Sequence, residues 1–160
     1  MPEPATTALG RAGARLLRSR ALMRAPVLLY RARLGVLLGP RLLLLEHVGR
    51  NSGIARRVVL EVIAHPGPGV HVVASGFGAR AQWYRNVVAN PRVRVSTGRH
   101  RDRPATARLL TTAEADAVLA DYARRHPRAW AKFKDVLHGT LGEEVTERDT
   151  PLPMFELRQR

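Results

Sequence analysis

The sequence predicts an α+β domain organised around a small, barrel-like sheet. Between residues 42 and 110, short runs rich in leucine and valine alternate with sharp turn signals. One short helical segment interrupts those runs, and longer helical patterns lie before and after them. Strands so closely spaced, without a helix between each pair, argue for a barrel and against a βαβ sheet. At 160 residues the chain fits one domain, and 45% hydrophobic residues suit a globular protein.

Residues 6–38 are rich in alanine, leucine and arginine and read as helix. Arg11, Arg15 and Arg18 recur at helical spacing opposite Leu9, Leu16 and Met23, and Pro26 breaks the segment. Two readings stand: a helix packed on the domain with a wet basic face, or a peripheral contact with anionic lipid. Leu42 to Val48 is a first strand and Arg56 to His65 a second. Pro66-Gly67-Pro68-Gly69 is a turn, and Val70 to Ser75 completes a hairpin. Gln82 to Asn90 is a short helix stopped by Pro91. Arg92 to Thr97 alternates Val93 and Val95 with polar residues, and Gly98 turns the chain into a strand ending at Leu109-Leu110. Thr111 and Glu114 form a capping box that starts a helix carrying Val118, Leu119 and Tyr122. Pro127 opens a second helix, with Trp130, Phe133 and Leu137 on one stripe and Gly139 at its end. Met154 to Leu157 is a last strand.

Composition narrows the chemistry. The absence of cysteine excludes disulfides, thiolate metal sites, iron–sulfur clusters and cysteine nucleophiles. Arginines interrupt every apolar stretch near the N-terminus, so no secretory signal is read. The most apolar run, Leu34 to Leu45, holds Gly39, Pro40 and Arg41 and is too short to span a bilayer. The expected location is cytoplasmic, with peripheral contact on the inner face of the membrane if the N-terminal helix binds lipid. Net charge is +14, from 27 basic and 13 acidic residues. Residues 1–110 hold 19 Arg against 4 acids, and residues 111–160 hold 8 basic against 9 acidic residues. A basic front implies an anionic partner: a cofactor phosphate, lipid headgroups or nucleic acid.

Two segments carry the chemistry. The turn Gly49-Arg50-Asn51-Ser52-Gly53-Ile54-Ala55-Arg56-Arg57 combines two glycines, a hydroxyl and three guanidinium forks, a pattern suited to anionic oxygens. In a strand Arg56 and Arg57 face opposite ways, so one of them shares a pocket with Arg50. The plain alternative is a hairpin turn with solvated arginines. The second segment is Val72-Val73-Ala74-Ser75-Gly76-Phe77-Gly78, followed by Gln82-Trp83-Tyr84-Arg85-Asn86 and Ala89-Asn90-Pro91. Small residues at a strand end let a flat ring approach the backbone, and a helix start favours anionic groups. Trp83 and Val87, four apart, also read as a core-facing stripe.

Together the pattern Gly49-Arg50-x-Ser52-Gly53-x-x-Arg56, Ala74-Ser75, and Trp83-Tyr84-x-Asn86-x-x-Ala89-Asn90-Pro91 resembles the deazaflavin-dependent nitroreductases and F-420-dependent quinone reductases. The resemblance covers about residues 27–137. It implies a split β-barrel of the FMN-binding-like kind, with N-terminal and C-terminal helices packed on it; the order of elements divides the chain into an N-terminal helical segment 1–38 and a barrel domain 39–160 with the C-terminal helices. It also implies coenzyme F-420, an 8-hydroxy-5-deazaflavin, with its phosphate and oligoglutamate tail in a basic groove. Tail and phosphate contacts carry over to Arg50, Asn51, Ser52, Arg56 and Arg57. Ring and side-chain contacts carry over to Val58, Val73, Ala74, Ser75, Gly76, Gln82, Trp83, Tyr84, Arg85 and Asn86. The chain departs from the pattern in three places. Asn51 stands where lysine is common, Val59 and Leu60 where a proline often follows, and Ala129, beside Trp130, where the nitroreductase has a tyrosine over the ring.

A deazaflavin carries hydride, so the protein needs neither nucleophile nor metal, and no catalytic side chain is assigned. Paired carboxylates, a metal-spaced histidine cluster and a Gly-x-Ser-x-Gly elbow are all missing from the sequence. His47 stands alone in a strand, where a histidine is more often structural than a proton donor. The expected activity is reduction of a quinone-like, enone or nitro-bearing small molecule by reduced F-420, in a chain able to form a homodimer. The competing readings are a basic nucleic-acid-binding protein, a membrane-surface module, and a split barrel holding FMN or a heme-type ligand. No zinc motif, RNP-type strand or recognition helix supports nucleic acid, and aromatics make up only 5% of residues.

Overall fold

The computed structural model describes residues 41–160. The expected N-terminal helical segment, its break at Pro26 and its lipid contact lie outside those residues.

Among the described residues six strands form: β1 Leu42–Val48, β2 Ala55–Gly67, β3 Val70–Ala74, β4 Arg92–Thr97, β5 His100–Leu109 and β6 Met154–Gln159. They close into one antiparallel barrel in the order β1-β2-β3-β6-β5-β4, with β4 pairing back onto β1. Among the described residues three helices accompany them: α1 Gln82–Ala89, α2 Thr112–Arg125 and α3 Pro127–Leu141, with a 3-10 turn at Gly78–Arg80 before α1.

Strand periodicity sorts the side chains into two cores. Leu43 and Leu45 of β1, Val62 of β2, Val73 of β3, Val93 and Val95 of β4, and Phe155 and Leu157 of β6 fill the barrel interior. Trp83 and Val87 of α1 join that cluster, so the short helix inserts one stripe among the interior residues. The neighbouring positions Ile63, Val72 and Met154 point outward and pack with Leu119 and Tyr122 of α2 and Trp130 and Leu137 of α3. The second cluster explains why β2, β3 and β6 show apolar residues on both faces. A fully buried leucine such as Leu45 or Leu119 contributes roughly 1.5–3 kcal/mol.

Local chemistry sets most element ends within a residue of expectation, with three differences, the simplest being β6, which runs on from Leu157 to Gln159. β2 runs through Pro66 and Gly67, and only Pro68 and Gly69 turn, Gly69 having φ 67°. Register shifts between Val62 and Ala64 and between Ala64 and Gly67 mark bulges, where a residue lacking N–H is tolerated. α3 continues past Gly139 to Leu141 and stops at Gly142, whose φ of 78° is the left-handed helix end. Glycine inside a helix costs only about 1 kcal/mol relative to alanine, and Leu141 packs against the outer core. The capping box of α2 forms as expected: Thr111 Oγ1 accepts from the Glu114 amide, and the Glu114 carboxylate accepts from the Thr111 amide.

Thr111→Ala is expected to lower stability by about 1 kcal/mol, read from urea unfolding. His71 lies buried, with its Nδ1 3.0 Å from His65 Nδ1 and its Nε2 3.3 Å from Gln159 Nε2. Burial first, then the charges of His65 and His100, push its pKa down to about 4 from 6.5. The unfolded chain takes up this proton near pH 6.5 and the folded chain only near pH 4. Its contribution to stability is therefore complete above pH 6.5 and is lost as pH falls through that window. Melting temperature should fall from pH 6.5 to 4, and the slope should be shallower in His71→Gln.

Candidate functional site

At one end of the barrel the inward face of β1 continues from Leu43 and Leu45 to His47. Opposite it, β2 places Val58 against Leu45 and Arg56 against His47. The chain joins these strands through a turn closed by Gly53 N–H to Gly49 O at 2.8 Å and Gly49 N–H to Ile54 O at 2.9 Å. Gly53 has φ 66°, a conformation glycine adopts at little cost. A Cβ on Gly49 would lie 2.5 Å from Ser52 Oγ and 3.1 Å from Arg56 Nε, so only glycine lets these groups crowd together.

α1 supplies the facing wall. Trp83 and Val87 point into the barrel, while Gln82 and Asn86, also four apart, meet the turn. Asn86 Oδ1 accepts from the Arg50 amide at 3.1 Å and from Arg50 Nη1 at 2.9 Å, and Gln82 Oε1 accepts from the same Nη1 at 3.0 Å. Asn86 Nδ2 lies 3.2 Å from His47 Nδ1. Burial, and then the charge of Arg56, push His47 down to about 4, so it is neutral at pH 7. Gly49, Arg50, Asn51, Ser52, Arg56, Gln82 and Asn86 line a cleft of about 310 Å³. Among the described residues no carboxylate lines it. The first turn of α1 holds no acidic residue, and no side chain caps it. Guanidinium groups, a hydroxyl and an open helix start together favour an anion.

The structure separates the other expected site residues. Arg56 shares the cleft with Arg50, whereas Arg57 lies on the outer face and pairs with Glu46 at 2.8 Å. Val73 and Trp83 belong to the interior core, and Val58 and Tyr84 pack partly buried against it. Ser75 is fully buried and donates its hydroxyl to Gly78 O at 2.7 Å, so it shapes the loop instead of facing outward. Ala74 and Gly76 remain half-buried. Arg85 is exposed and donates to Ala79 O at 3.0 Å.

Two contributions escaped the sequence reading. Thr140 Oγ1 donates to Gly76 O at 2.5 Å, and Arg80 Nη2 donates to Thr140 O at 2.8 Å, so the end of α3 braces this loop. Trp130 sits ten residues earlier, roughly 15 Å along the helix. It is buried in the outer core, with its Nε1 donating to Glu147 at 2.6 Å. The second contribution is the contact between Asn86 and His47, a histidine that the sequence reads as structural and that lies buried on the inward face of β1 two residues before Gly49. A cavity of about 280 Å³ on the outer wall is lined by Glu46 and Asp102, and one of about 380 Å³ beside Tyr122 by Glu61, so both, unlike the cleft, carry a carboxylate.

Gly49→Ala should displace Ser52 and Arg56 and open the cleft. Its crystal structure should show these two side chains moved, with the barrel itself unchanged.

A model of the F420H2-dependent quinone reductase family matches residues 22–149. No curated protein matches the sequence. Solved structures of similar fold include an F420-H2 dependent reductase, 25% identical, covering 74% of this chain and 94% of its own, with TM-score 0.51. A domain-swapped dimer is 22% identical and covers 84% of this chain and 100% of its own, with TM-score 0.53. The heme storage protein HutZ from Vibrio cholerae, 13% identical, covers 82% and 89%, with TM-score 0.51. The fold is the split β-barrel.

Proposed function

The chain belongs to the F420H2-dependent quinone reductase family and is an oxidoreductase with coenzyme F-420 as its cofactor; from that premise we propose that it reduces a quinone-like, enone or nitro-bearing small molecule. The observation that carries the reading is the convergence of Arg50, Ser52 and Arg56 on the start of α1, in a cleft that no carboxylate lines among the described residues.

The donor set suits the anionic end of the cofactor. Arg50 and Arg56 would bind its phosphate and glutamate oxygens, with Ser52 and Asn51 adding neutral hydrogen bonds. Gln82 and Asn86 hold Arg50 in place for that task. Ala74 and Gly76 leave the backbone approachable beside the start of α1, and Tyr84 and Val58 offer partly buried apolar edges to the ring. When bound, the cofactor supplies the hydride. The chain's own residues bind it and orient it toward the acceptor. Arg57, occupied by Glu46 on the outer face, has no part in this reading.

The reading takes residues 39–160 as the cofactor-binding domain, preceded by the N-terminal helical segment 1–38. A homodimer goes with it, since one protein of this fold is a domain-swapped dimer. Sedimentation equilibrium checks the assembly.

Titration with oxidised F-420 beside FMN, followed by cofactor fluorescence, tests the binding. F-420 should bind more tightly, and equal or tighter FMN binding would overturn the reading. Arg50→Ala and Arg56→Ala should each weaken F-420 by about ten- to hundredfold, the effect of losing a hydrogen bond to a charged group. Arg57→Ala should change it by less than about twofold, as expected for an exposed ion pair. Reduced F-420 should be reoxidised when menadione or a nitroaromatic is added with the protein. The absence of any acceptor-dependent rate would leave a binding protein only.

A further inference from the structure

Arg50 can only donate, and it donates twice to the same oxygen of Asn86: from its backbone amide at 3.1 Å and from Nη1 at 2.9 Å. The Asn86 amide is thereby oriented, and its Nδ2 is the group turned to His47 Nδ1 at 3.2 Å. An NH2 group must donate, so His47 Nδ1 must accept. That requires the neutral ring with its proton on Nε2. Both residues are almost fully buried, with His47 4% and Asn86 3% exposed, so water is a poor substitute for either partner.

We propose that His47 is a positioning residue: its unprotonated Nδ1 fixes the Asn86 amide, which holds Arg50 at the anion cleft, so that protonating His47 releases Arg50 and weakens anion binding. This rests on the reading of the cleft as the site of the cofactor's anionic end.

Protonation would set Nδ1–H against the Asn86 NH2, donor facing donor. Rotating the amide by half a turn relieves that contact but presents NH2 to the two Arg50 donors, so both bonds to Arg50 are lost. The charged groups around His47 act in both directions. Arg56, opposite on β2, disfavours a second positive charge, and Glu46, next along β1, favours it. The turn adds Arg50, and α1 meets the ring through uncharged Asn86. On its other side β1 pairs with β4 as far as Glu46↔Arg94, and Arg94 is held by Asp102 at 2.5 Å. Burial and Arg56 prevail and keep the ring neutral down to about pH 4.

The test compares wild type with His47→Asn, whose amide oxygen can take the place of Nδ1 without titrating, and with His47→Leu, which cannot accept. Amide NMR of the cofactor-free protein should show the Arg50 backbone and Asn86 side-chain signals moving together, with a midpoint near pH 4 in wild type. Neither signal should titrate in His47→Asn. At pH 7, His47→Leu should bind F-420 about tenfold more weakly, in line with the loss of one charge-assisted contact. His47→Asn should stay within about twofold of wild type and should not share wild type's added loss of affinity below pH 5. The idea is overturned if His47→Leu leaves the Arg50 signal and the affinity unchanged at pH 7, or if the two signals ignore acid in wild type. If these signals titrate together but F-420 fails to bind wild type, the cofactor assignment falls and the His47 coupling stands. The neutral-pH comparison also decides the matter if acid unfolds the chain.

Discussion

The two-residue period of β1 is the constraint on which the rest of the molecule hangs. Leu43 and Leu45 anchor the inner face of the strand in the barrel core, and the same face must then present His47 at the mouth. Pairing with β2 puts Arg56 opposite His47 and turns Arg57 outward to Glu46. Two adjacent arginines of identical chemistry thus have different fates, decided by parity alone. A one-residue slip of β2 would exchange them and would also turn Val58 and Val62 away from the barrel interior, so core burial guards the placement of the cleft's charge.

α1 carries the same economy in helical form. One of its stripes, Trp83 and Val87, is interior core; the next, Gln82 and Asn86, grips Arg50. Eight residues thereby fasten the turn to the barrel and leave an open helix start beside the loop at residues 74–78. That loop is held from behind by Thr140 and Arg80 and from within by the Ser75 hydroxyl. The cleft is thus assembled on supports drawn from β1, β2 and α1, while α3 braces the loop that leads into α1.

Much of this was legible in the sequence because it depends on local patterns. β1 and β4 end where their periodicity ends, and the capping box at Thr111 and the stripe at Trp83 and Val87 read directly. The turn at residues 49–56 was readable from residue types, and parity foretold that Arg56 and Arg57 would part. What escaped were choices of partner across long separations. Asn86 lies 39 residues from His47, and Thr140 lies 64 from Gly76. A period states which face a side chain takes, not what it meets there. For the same reason nothing in the sequence told that the Ser75 hydroxyl is buried on Gly78 O, whereas Trp130 lies in the outer core as its stripe with Phe133 and Leu137 implied.

The place of β6 in the ring has a consequence for how the chain reaches this state. β6 lies between β3 and β5 and pairs with both, yet α2 and α3 separate it in sequence from β5. The ring therefore cannot close until the chain has passed through both helices and returned, a long loop whose ordering precedes any reward from pairing. Until that moment β3 and β5 each have an unpaired edge, open to strands of other molecules. β5 carries Arg101, Asp102, Arg103 and Pro104 in its exposed first half, residues that make a poor template for a foreign strand. β3, with Val70, Val72 and Val73, has no such guard. Association during refolding is accordingly a hazard of the β3 edge, and it ends when β6 takes its place.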